Sequence, residues 1–162
     1  MRKQNGFSLI ELLIVVAIIL VIAAIAIPTL TRARVAADES SAVGSMRTIN
    51  SAEISYNAAY PAVGFTTTLS QLGSPAAGCT PSTATGCFID SLLSSGTKSG
   101  YTFAVAANGS TPTPQTNYSV VASPQYPSYT GARYFCSFED AVVRSSTTAI
   151  TNPCPAATAP IQ

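Results

Sequence analysis

The chain has 162 residues, enough for one globular domain of ordinary size beside a long helix. Apolar residues make up 47% and charged residues only 9%, with a net charge of +1, so there is no basic footprint of the kind that binds nucleic acid. Histidine is absent, which removes the commonest general base and the commonest metal ligand together; the expectation is a non-enzyme with no catalytic residue, metal or cofactor.

From Phe7 to Ile27 the only polar side chains are Ser8 and Glu11. A helix of that length rises roughly 30 Å, about the thickness of a bilayer's hydrocarbon core, so the stretch is read as membrane-spanning. Its flanks are not those of an ordinary secretory signal, in which a small-residue cleavage site follows the apolar region. Here Arg2 and Lys3 come first and Gly6 stands immediately before the apolar run, so the candidate cut precedes the helix. A carboxylate inside such a run costs about 2.5–3.5 kcal/mol on insertion scales, which makes Glu11 a functional residue by default, with an amine as its natural partner. The alternative is that Glu11, one turn from Phe7, snorkels to the headgroups and answers the helix macrodipole.

Pro28 follows directly and cannot donate to the carbonyl of Ala24, which predicts a kink or local loosening rather than an end. Beyond it Ala33, Ala36 and Ala37 keep helix propensity high. Ala42, Met46, Ile49, Ala52, Tyr56 and Ala59 then recur at spacings of three and four, with Arg47, Asn50, Ser51 and Ser55 off the stripe. That is the face a helix packs on a domain core. One long helix, apolar all round and then amphipathic, is therefore expected to end near Tyr60-Pro61.

Gly6, Phe7, Glu11 and Pro28, in this order and setting, resemble the type IV prepilin family. The resemblance covers Gly6 to Pro28, a small part of the chain. It implies that a prepilin peptidase cuts after Gly6, methylates the new amine of Phe7 and leaves the helix on the mature protein. It also implies that Glu11 neutralises the N-terminus of a neighbouring copy as the helices pack into a filament. The sequence departs from the family at Leu20, where many members carry glycine, which bears on how easily the helix unwinds before Pro28. On this reading residues 1–6 are a leader, 7–28 the transmembrane and filament-core half of the helix, 29–60 its amphipathic half and 61–162 a globular head.

From Pro61 to Gly100 the composition turns to Gly, Pro, Ser and Thr, which signals loop, with possible helical turns at Thr68 to Leu72 and Phe88 to Leu93. After Gly100 the period becomes two: Tyr101, Phe103 and Val105 alternate with Thr102, Ala104 and Ala106, and Asn108-Gly109 gives a turn signal. Tyr118 to Ala122 reads as a second strand, and Arg133 to Phe138 with Ala141 to Arg144 as a hairpin. The tail from Ser145 is expected to be irregular. Cys79, Cys87, Cys136 and Cys154 allow three pairings; the sequential one, Cys79 with Cys87 and Cys136 with Cys154, closes the smallest loops, and a disulfide-closed C-terminal segment is common in the family resembled.

The expected fold is α+β, a long N-terminal helix packed on a small antiparallel sheet of about four strands, as in pilins. Two other constellations are read blandly. Asp90, Glu139 and Asp140 could ligate calcium, but adjacent carboxylates at a turn are more often turn residues. Tyr126, Tyr129 and Tyr134 could form a carbohydrate face, but aromatics mostly serve cores and interfaces. The resemblance implies a structural subunit of a type IV pilus, with a pseudopilin of type II secretion as the alternative. Its implied partners are copies of itself, the prepilin peptidase, and the inner-membrane assembly platform with its motor. Before assembly it would sit in the bacterial inner membrane, and afterwards in an extracellular or periplasmic filament. A less favoured reading takes Ala24-Ile25-Ala26 as an ordinary signal-peptidase site releasing a soluble module.

Overall fold

The computed structural model describes residues 8–74, 78–107, 114–155 and 158–161. The expected turn at Asn108-Gly109 lies outside the described residues. The chain divides into two units between Arg34 and Val35. Helix α1, Leu9–Ala59, contributes its first part to one unit and Val35 onward to the other.

In the second unit α1 packs on a five-stranded antiparallel sheet in the order β1-β2-β3-β4-β5. The strands are β1 (Thr97–Lys98), β2 (Tyr101–Ala107), β3 (Tyr118–Pro124), β4 (Tyr134–Phe138) and β5 (Arg144–Ser146). Ala42, Met46, Ile49, Ala52 and Tyr56 from the helix meet Tyr101, Phe103, Val105, Tyr118, Val120, Ala122 and Phe135 from the sheet in one buried core. Strand β2 alternates as its period predicts, with Tyr101, Phe103 and Val105 buried and Thr102 and Ala104 exposed. The central strand β3 is buried on both faces from Tyr118 to Val121 and on to Ala122. Its Val121 lies opposite Cys136 and joins Cys154, with Phe138 and Ile150 beside them, in a smaller cluster.

That smaller cluster exists because the C-terminal segment returns to the sheet. Cys136 and Cys154 are disulfide-bonded, as are Cys79 and Cys87. Ser145 N–H donates to the Ala159 carbonyl at 3.0 Å and Ile161 N–H to that of Val143 at 3.1 Å, so residues 159–161 run antiparallel beside β5. Cys136→Ser should cost about 3 kcal/mol, from the chain entropy of a disulfide spanning a separation of 18 residues. The expected readout is a lower denaturation midpoint together with new proteolytic cuts after Ser145.

The structure departs from the sequence reading in four places. Among the described residues the sheet has five strands where about four were expected, because Thr97–Lys98, in a stretch read as loop, pairs with Tyr101 and Thr102. The turn between them has positive φ at Ser99 (48°) and Gly100 (72°), the backbone that closes tight hairpins. Strand β5 starts at Arg144 rather than Ala141 and includes Ser145 and Ser146. Asp140 accepts from Val142 N–H at 3.0 Å and Ala141 takes φ 57°, which spends residues 141–143 on the turn. Of the two proposed helical turns, the first is a 3-10 helix, Leu69–Leu72, and the second shrinks to α2, Ser91–Ser94. On α1, Ala59 is exposed, whereas Asn50, placed off the stripe, is buried.

Candidate functional site

Helix α1 begins where Ser8 gives its carbonyl to Leu12 N–H at 3.3 Å. Glu11 stands in the first turn, where backbone N–H groups lack helical partners and the macrodipole favours a negative charge. It is exposed and, among the described residues, has no hydrogen bond or ion pair. Every large apolar side chain from Leu9 to Leu30 is exposed, from 45% at Val16 to 82% at Leu9. Such a helix is long and apolar enough to cross a membrane.

The surface of this segment has relief. Leu13, Ala17 and Val21 form one row and Ile14, Ile18 and Ile22 another, and a shallow groove lies among them. Rows at a spacing of four are the ridges that interdigitate when helices pack. Further on, the helix runs through Pro28 without a break. Thr29 Oγ1 donates to the Ile25 carbonyl at 3.0 Å, and Thr31 Oγ1 to the carbonyls of Ile27 (3.3 Å) and Pro28 (3.0 Å). These hydroxyls bond carbonyls next to the proline, but none of these bonds reaches the Ala24 carbonyl, the one that Pro28 has no N–H to meet.

The model of the prokaryotic N-terminal methylation motif matches residues 1–27. The chain carries a type IV prepilin-type cleavage and methylation motif. No curated protein and no solved structure matches it. The motif takes in Gly6, Phe7 and Glu11, and Pro28 follows its last residue. Gly6 and Phe7, the expected cleavage and methylation positions, lie outside the described residues. A motif of this kind supports a protein of the pilin or pseudopilin type, anchored by one apolar helix.

Of the three acidic residues read as a calcium candidate, Asp90 and Asp140 are engaged separately and Glu139 is exposed. Asp90 caps α2, accepting from Leu93 N–H at 2.7 Å, and pairs with Lys98 at 3.4 Å; the Leu93 bond holds its carboxyl below the usual range. Asp140 pairs with Arg144 at 2.5 Å, and that bond lowers its pKa in turn. Tyr126 and Tyr129 are exposed on the loop between β3 and β4, and Tyr134 is half-buried in β4.

Sequence reasoning missed three polar residues on the inner face of α1. Glu39, nearly buried, pairs with Arg133 at 2.7 Å and accepts from the N–H groups of Ala132 (2.9 Å) and Arg133 (3.2 Å). Asn50 accepts from Ser137 Oγ (2.8 Å) and Tyr118 Oη (3.3 Å) and donates to the Ala141 carbonyl (3.2 Å). Glu53 is fully buried against Thr66. The signal was their spacing: Glu39 precedes Ala42 by three, and Glu53 follows Ile49 by four, so both extend the stripe that packs on the core.

Proposed function

We propose that this chain is a structural subunit of a type IV pilus, stored in the inner membrane and polymerised through the first part of α1. The observation that carries the reading is an exposed, all-apolar helix whose one charge, Glu11, sits unpaired one turn from the expected new N-terminus. In a bilayer such a helix is content, but Glu11 is not, because a lone carboxylate is costly there. In a bundle of identical helices the amine of a neighbour's Phe7 can meet Glu11, while the groove between the Leu13-Ala17-Val21 and Ile14-Ile18-Ile22 rows receives a neighbour's ridge. Assembly thus pairs two charges that each subunit leaves unpaired. The partners are other copies of the chain, the prepilin peptidase and the inner-membrane platform with its motor, and the work involves no reaction by the chain itself.

The test begins with processing. Mass spectrometry of membrane or filament material should find a mature chain starting at methylated Phe7. Gly6→Leu should leave residues 1–6 attached, because a side chain stands where the peptidase of this family takes a small residue. A chain starting at Ile27 would instead assign the apolar run to a discarded signal. Filaments sheared from cells and containing this chain separate a pilus from a periplasmic secretion pseudopilus.

A further inference from the structure

Glu53 is the charged-type side chain most completely enclosed in the second unit, with no exposed surface, and Thr66 is enclosed with it. Thr66 N–H donates to Glu53 Oε2 at 3.0 Å, and Thr66 Oγ1 lies in short hydrogen-bond contact with Glu53 Oε1. Both carboxyl oxygens are therefore held by one residue of the loop that leaves α1. Among the described residues no lysine or arginine pairs with Glu53. The titratable groups that face it are Tyr56 on its own helix and Tyr118 from β3. Burial raises the pKa of both phenols, so they are neutral near neutral pH. The loop itself and the 3-10 helix after it carry no carboxylate, amine or guanidinium; their one titratable side chain is Tyr60, whose ring packs on Tyr56.

A buried carboxyl with only neutral partners is stable as the acid. The short contact then runs the other way, with the Glu53 hydroxyl donating to Thr66 Oγ1 while Thr66 N–H still donates to Oε2. Apart from this pair the loop is held by its own turn and by one neighbouring segment: Gly64 N–H donates to Tyr60 O, and Phe65 N–H to Gln115 O at 3.0 Å. Gln115 N–H also donates to Val63 O at 2.8 Å, and Tyr60, Val63 and Phe65 pack against the core, Phe65 on Tyr118 at 4.8 Å between ring centroids.

We propose that Glu53 and Thr66 form a proton-operated latch: the neutral carboxyl fastens residues 60–68 to α1, and loss of its proton loosens them. Burial pushes the Glu53 carboxyl up to about 7. Its folded value lies above the unfolded one, so its contribution is fully present below the ordinary carboxylate range. It declines as pH rises from that range and is lost once pH passes about 7. From pH 5.5 to pH 8 the population of loosened loop should rise roughly tenfold or more. The inference stands apart from the filament reading, since it concerns the second unit alone.

The test is amide hydrogen exchange, read by mass spectrometry on the full chain in detergent micelles, at pH 5.5 and pH 8 after correction for intrinsic exchange rates. Peptides covering residues 61–68 should lose protection by about tenfold or more at the higher pH, while those in β3 should not. Glu53→Gln, which keeps the shape without the ionisation, should abolish the difference. Should that variant fail to fold, carbon-13 NMR of the parent's own carboxyl decides, with a midpoint near 7 expected. Equal protection at both pH values, the same pH dependence in Glu53→Gln, or titration of Glu53 in the ordinary carboxylate range would each overturn the latch.

Discussion

Replacing Glu11 by valine should leave the chain cleaved and abundant in the membrane, yet yield few or no filaments when the variant is the only copy expressed. The substitution removes the one charge in the apolar run, so insertion into the bilayer becomes easier by up to about 3 kcal/mol. A simple anchor would gain or stay the same. A filament subunit loses the carboxylate that meets an incoming amine, and that amine then enters an apolar bundle uncompensated, which is strongly destabilising. The groove between the Leu13-Ala17-Val21 and Ile14-Ile18-Ile22 rows is untouched by the change, so helix packing alone is held constant. Three readouts suffice: leader removal on a gel, the amount in the membrane, and filaments sheared from cells. Abundant filaments from the variant alone would show that Glu11 is dispensable and that apolar packing suffices.

The second large effect lies in the head. Asn50→Leu strips partners from Tyr118 Oη on β3, Ser137 Oγ on β4 and the Ala141 carbonyl in the turn before β5. Each buried polar group left unsatisfied costs about 1–3 kcal/mol, so a total loss of about 3 kcal/mol or more is expected. At this size that lowers the melting temperature by roughly 10 °C. The neighbouring Ser51 is exposed, and Ser51→Ala should change stability by less than about 0.5 kcal/mol. Thermal unfolding of the full-length variants in detergent, followed by circular dichroism, gives the comparison. A loss below about 1 kcal/mol would mean that the three partners find other donors and acceptors, and that Asn50 does not fasten the helix to the sheet.

The N-terminal device was readable because each of its residues breaks a simple pattern: a glycine placed before an apolar run, a carboxylate within it, a proline after it. Strands β2 and β3 were readable because Tyr101 to Val105 and Tyr118 to Ala122 are apolar and β-favouring between clear turn signals. What escaped was structure made by long-range contact. Thr97 and Lys98 have no strand signature and pair only because Ser99 and Gly100 turn the chain back. Arg144 to Ser146 is equally plain in sequence, and its place in the sheet depends on β4 to one side and residues 159–161 to the other. Asn50 and Glu53 were legible as positions on the helix but not as buried groups, because a polar residue announces its burial only through its partners, and these lie 13 to 91 residues away.

If the chain polymerises as proposed, the return of residues 159–161 to β5 bears on how it avoids associating wrongly. An open strand edge is a template for another chain's backbone, and sheets that expose one tend to aggregate. Here one edge of the sheet is a two-residue strand bearing Lys98, and the other is covered by residues 159–161, among them Pro160, which has no N–H to offer. With both edges blunted, the sheet offers no easy route to strand-by-strand growth. On the filament reading, self-association is then left to side chains on the helix, where charge and ridge can specify the partner.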